Sequence, residues 1–154
     1  MTASRRTRQR GFVLIAMAAS MFLLLGVMGL VFDLGRIYIA RNEAQVFTDA
    51  AAMAAAAKLD GTATGLARAR EAVVRIPTRW NLGTKRFTGV VVEFSRDGTN
   101  WESNPRDVAA AAYARVTAPA NAVEITFLRA AGGPDSFTVP AHSVAASHPV
   151  RLTE

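Results

Sequence analysis

The chain has 154 residues, no cysteine, a hydrophobic content of 51% and a formal net charge of +6. That length suits one small domain and its N-terminal attachment, and without cysteine the domain must hold together by packing rather than disulfides. Arg5, Arg6, Arg8 and Arg10 precede every acidic residue, and the other 14 basic and 12 acidic side chains leave only +2, which excludes the concentrated basic footprint of a nucleic-acid binder.

Residues 1–10 form a basic tail, and residues 11–32, GFVLIAMAASMFLLLGVMGLVF, carry no charge. As a helix this run is about 33 Å long, enough to cross a hydrocarbon core of about 30 Å. A transmembrane helix is therefore expected over 11–32. Arg5, Arg6, Arg8 and Arg10 would hold the tail in the cytoplasm. Residues 33–154 would then lie on the outer side of that membrane.

Other readings of this end are weaker. A secretory signal has a shorter apolar core and a small-residue cleavage site, whereas this run continues into FDLGRIYIARNEAQ. The SRRTR stretch has polar Arg8 and Gln9 where a twin-arginine signal is apolar. Gly11-Phe12 resembles the processing site of a type IV prepilin. Counted from Phe12, however, the fifth residue is Ala16, where such pilins carry a glutamate. An uncleaved anchor is the favoured expectation and a processed minor pilin the alternative.

From Asp33 to Leu59 there is no proline, one glycine and an alanine-rich end, so the helix is expected to run on in water to about residue 58. Asp33 and Arg36 are spaced to pair, and Arg41, Gln45 and Asp49 to make a polar stripe. The alanines of 50–57 suit close helix packing: they read as a self-association stripe or merely as a low-cost helix, with packing against a partner favoured. Gly61 and Gly65 are expected breakers within a linker and short-helix region, 60–81. Its helix, 66–76, presents Leu66, Ala69, Val73 and Ile76 on one face and ends at Pro77.

Residues 82–154 read as a small β-rich domain. Strands are expected at 87–94, 112–118, 122–128 and 135–147, with an Asp97-Gly98 hairpin turn and with Pro119 and Gly132-Gly133-Pro134 as separators. The predicted fold class is α+β: a long transmembrane helix continuing as an aqueous helix, then a short helix and a small antiparallel sheet or sandwich.

The sequence Arg10-Gly11, an apolar run, then DLGRIYIARNEAQVFTDAAAMAAA resembles the Tad/Flp pilus-assembly TadE/TadG-like family. The residues that carry the likeness are Gly11, Asp33, Gly35, Arg36, Tyr38, Arg41, Gln45, Asp49, Ala50, Ala51 and Ala55. Family members often have Leu-Gln-Asn-Ala before the aspartate, where this chain has Ala44-Gln45-Val46-Phe47-Thr48. The segment ITFLRAAGGPDSFTVPAHSVAAS is similar to the one that closes short members. The resemblance implies a membrane-anchored accessory of the tight-adherence pilus machine, with other pilus-assembly or pilin proteins as partners and a homo-oligomer left open. A single-pass envelope protein of unrelated role is the remaining alternative.

Nothing in the sequence suggests an enzyme. His142 and His148 lie six apart without a third ligand, carboxylates are scattered, and Pro134 lacks the N–H that a phosphate loop would need. No cofactor, metal or small-molecule substrate is expected. Trp80 and Trp101 could each be core or surface.

Overall fold

The computed structural model describes residues 5–147. Helix α1 runs unbroken from Arg5 to Ala56 and is followed by α2, Ala63–Arg75. Strands β1 (Arg79–Trp80) and β2 (Lys85–Arg86) form a two-residue-wide hairpin. A three-stranded antiparallel sheet follows in the order β3-β4-β5, made of Val91–Ser95, Tyr113–Glu124 and Ser136–Ala146. A one-turn helix α3, Phe127–Ala130, joins β4 to β5. The α+β class expected from the sequence is therefore what the chain adopts.

The two halves of α1 live in different surroundings. From Gly11 to Met28 every residue is exposed, and the helix from Gly11 is long and apolar enough to cross a membrane. From Ala40 onward a stripe of Ala40, Ala44, Phe47, Ala51, Ala52, Ala55 and Ala56 is buried in the core, where α1 packs on β4, β5 and α2. Helical spacing puts these residues on one face. Alanine has no χ angle to freeze and keeps the helix close to the sheet, where it meets Ala114, Val116, Ala118, Val139 and Ala141. The alanine-rich stretch thus packs within its own chain, which corrects its reading as a self-association surface.

Helix α2 buries Leu66, Ala69 and Val73, the face its sequence spacing indicates, with Ile76 half-buried. It starts earlier than expected because Thr62 caps it, accepting from Gly65 N–H at 3.0 Å. Gly61 is the breaker, at φ +77°, whereas Gly65 is a buried helix residue whose missing Cβ makes room for Asp60.

The sheet departs from expectation at three places. The first strand begins at Val91, because Gly89 at φ +67° turns the chain just before it. The expected strands at 112–118 and 122–128 are one strand, β4. Pro119 does not separate them; it sits in a bulge between Ala118 and Asn121, where its missing N–H costs no ladder bond. The extra residue shifts the alternation from even to odd, so Ala114, Val116, Ala118 and then Val123 all face the core. Third, Phe127 leaves the strand for α3 and is 48% exposed. Among the described residues the β3-β4-β5 sheet does not form a sandwich: its face away from α1 carries the Arg115–Glu93 pair at 2.7 Å, with Arg115 over the Trp101 ring. The Asp97-Gly98 turn closes through a single bridge, Phe94 to Glu102, rather than a tight two-residue hairpin.

The β1–β2 hairpin was not foreseen in the sequence. It seats Trp80 in the core, stacked on Phe87 at 5.3 Å, which in turn stacks on Phe47 of α1 at 4.8 Å. The tightness of the alanine stripe makes volume the sensitive variable. Replacing Ala51 or Ala55 by leucine is expected to cost about 1–3 kcal/mol through overpacking. A urea titration of the detergent-solubilised chain, followed by tryptophan fluorescence, should show the lower midpoint. Met53→Leu on the exposed side should leave it in place.

Candidate functional site

Asp33 is 1% exposed, although it follows directly on the apolar run. Its carboxylate faces the start of α3 and accepts three backbone hydrogen bonds. Thr126 N–H donates to Oδ1 at 3.1 Å, and Phe127 and Leu128 N–H donate to Oδ2 at 2.8 and 2.7 Å. These are amides that the first turn of a helix leaves without internal partners. The expected local pairing with Arg36 is not what positions Asp33: half-buried Arg36 contributes a nearby charge and the backbone amides make the bonds. An acceptor-only carboxylate suits three donors, whereas a protonated one would present its own O–H to them.

One turn below, Gly29 is buried under Phe127. A Cβ at Gly29 would come within 2.7 Å of the Phe127 Cβ, so only glycine lets the turn lie this close. Phe127 also meets Phe32 edge-on, with centroids 5.6 Å apart. Gly29, Asp33 and the 126–128 backbone thus form one joint between the helix and the sheet.

The remaining motif residues divide by face. Gln45 donates to Asp49 at 2.9 Å and to Ser143 of β5 at 3.0 Å, and Ser143 also bonds Thr48 and Asp49. Two of the three stripe residues therefore tie α1 to β5. Ala51 and Ala55 are buried and Ala50 half-buried. In contrast, Gly35 has nothing within 4 Å of a would-be Cβ, Tyr38 is 75% exposed, and Arg41 is exposed. At Gly11 the helix continues without a break and Phe12 is exposed. The backbone of Arg5, Arg6, Arg8 and Arg10 is helical. His142 is exposed on β5, while His148 lies outside the described residues.

Sequence reasoning missed Glu43. Its carboxylate accepts from Asn81 N–H and, at 3.2 Å, from Leu82 N–H. Both residues have left-handed backbones, φ +53° and +58°, in the loop of the β1–β2 hairpin. The Asn-Leu-Gly loop was the available signal, since asparagine and glycine favour that conformation.

Residues 11–58 match the model of the Tad family, described as "Putative Flp pilus-assembly TadE/G-like". That match covers the N-terminal part of the resemblance read from the sequence. Searches of curated proteins and of solved structures returned no match. The matched segment contains the joint's helical half, Gly29 and Asp33, and the exposed Gly35, Tyr38 and Arg41.

Two outcomes check this geometry. In Asp33→Ala the amides of Thr126, Phe127 and Leu128 lose their acceptor, and their hydrogen exchange should rise by about tenfold or more. Asp33→Asn, which keeps one acceptor oxygen, should fall between, and Arg36→Gln should leave these amides protected. Separately, the backbone amides of Asn100 and Thr99, together with the Asn100 side chain, hold Asp97 well below the usual carboxylate range. A lowered value means the ionised form is favoured by folding. Its contribution is complete above the unfolded value of about 3.9 and is lost as pH falls below that toward the folded value. The Asp97 carboxyl carbon shift should therefore stay flat through the range where free aspartate titrates.

Proposed function

We propose that this chain, whose residues 11–58 carry the TadE/G-like signature, is a membrane-anchored, non-enzymatic component of Tad/Flp pilus assembly. Its basic tail stays in the cytoplasm, the apolar run crosses the inner membrane, and the α+β domain stands on the periplasmic side. The observation that carries this reading is the unbroken α1. One helix joins a membrane-length apolar half, exposed from Gly11 to Met28, to the half that builds the domain core. A domain on such a stem is held at a fixed height and orientation against the bilayer, as an assembly component at the membrane must be. Exposed Gly35, Tyr38 and Arg41 lie just beyond the apolar run and offer a face to other pilus-assembly or pilin proteins.

The exposed apolar half also supports a second reading, a processed minor pilin. In a filament, the same half would be covered by neighbouring copies instead of lipid. Ala16, in place of the pilin glutamate, favours the anchor.

Deleting the gene should abolish or sharply reduce surface pili counted by electron microscopy, and an unchanged count would defeat the pilus role. Intact-mass analysis of the membrane-extracted chain should find the residues before Phe12 still attached. A mature chain beginning at Phe12 would favour the filament reading. A C-terminal alkaline phosphatase fusion should be active, and an inactive one would reverse the orientation.

A further inference from the structure

We propose that the turn 126–133 is a second membrane contact, seated among the acyl chains of the leaflet on the C-terminal side of the span. The inference rests on the reading that α1 crosses a membrane. From Gly11 to Gly29 the helix rises about 27 Å, close to one hydrocarbon thickness of about 30 Å. Phe127 covers Gly29, so the turn meets the helix within one turn of Phe32, where the apolar run ends. From there it overhangs the apolar half. A groove of about 710 Å³ lies between them, lined by residues that include Phe22, Leu25, Gly26, Leu30, Leu128 and Ala131. Phe127, which also lines it, stays 48% exposed, and Phe32, edge-on to Phe127, stays 55% exposed.

The backbone of the turn is prepared for a dry setting. Non-helical chain at membrane depth needs its amides satisfied from within the protein. The N–H groups of Thr126, Phe127 and Leu128 go to Asp33, and those of Ala131, Gly132 and Gly133 go to the carbonyls of Leu128 and Arg129. Pro134 has no N–H, and Ile125 N–H closes the loop onto Asp135 O at 2.9 Å. The charges at the turn, Arg129 and Asp135, pair at 2.8 Å with both side chains exposed, and a long arginine side chain can lift its head to the lipid headgroups. Lipid is the occupant that this groove fits, because it is continuous with the helix surface that acyl chains already surround. Asp33 then acts as an internal acceptor that lets the turn enter lipid with the amides of Thr126, Phe127 and Leu128 paired.

The chain has no cysteine, so single cysteines can carry a depth-sensitive fluorophore. Met21→Cys reports the span, Ala130→Cys the turn, and Thr99→Cys the opposite end of the sheet, all exposed positions. The labelled full-length chain is placed in phosphatidylcholine vesicles whose lipids carry a doxyl quencher either near the headgroup or near the chain end. The expected result is quenching at Ala130 several-fold above that at Thr99, stronger with the shallow quencher, and quenching at Met21 stronger with the deep one. Ala131→Cys, also exposed, repeats the reading in case labelling at Ala130 disturbs the turn. Quenching at Met21 with none at either turn position would overturn the proposal and leave the span intact. Disulfide-linked dimers of the unlabelled Ala130→Cys chain under an added thiol oxidant, without lipid quenching of the labelled chain, would overturn it in favour of a second copy filling the groove. No quenching at Met21 would remove the span and the proposal with it.

Discussion

Because α1 has no break between Gly11 and Ala56, whatever fixes the sheet against its second half also fixes the sheet against the apolar run. The alanine stripe does the first part. It leaves so little space between helix and sheet that β4 and β5 can lie along α1 in only a narrow range of positions. Strand β4 then runs back along the helix. Its Tyr113 end lies near the end of α1, where Ser147 donates to Leu59 O, and its Glu124 end lies beside Asp33. The β4–β5 connection is therefore delivered to the apolar half by the same packing that makes the core.

Two carboxylates of α1 then act alike. Asp33 holds the amides of the 126–128 turn, and Glu43 holds those of Asn81 and Leu82. Backbone N–H groups in tight turns have no strand or helix partner, and leaving them unpaired away from water costs about as much as a lost hydrogen bond. A carboxylate on a rigid helix offers several acceptor positions at a fixed place and selects the turn conformation that reaches it. For Leu82 that conformation is left-handed, which a leucine adopts here only with such support.

Features set by local composition were legible in the sequence. The length of α1 follows from an apolar run joined to a proline-free, alanine-rich segment, and the buried face of α2 follows from spacing. Features set by distant partners were not. Asp33 meets residues more than ninety positions away, so its neighbour Arg36 was the partner that spacing suggested. The alanine stripe announced close packing but could not say against what, since alanine suits a sheet of the same chain and a second helix equally. Pro119 reads as a strand end in a one-dimensional pattern. Only the pairing with β5 shows that a bulge accommodates it and resets the alternation so that Val123 stays inside.

The division of the family-bearing residues between faces has a further consequence. Asp33, Gln45, Asp49, Ala51 and Ala55 each have a task inside this chain: clamping a turn, bonding β5 or filling the core. Their presence is explained by folding alone and says nothing about partners. Gly35, Tyr38 and Arg41 have no comparable internal task. A glycine in a helix interior costs about 1 kcal/mol relative to alanine. At Gly35 no neighbouring group of this chain needs the space, since a Cβ there would meet nothing. Apart from Gly11 at the other end of the apolar run, the part of the motif that folding does not account for thus lies in one exposed stretch of α1, within three turns of Phe32.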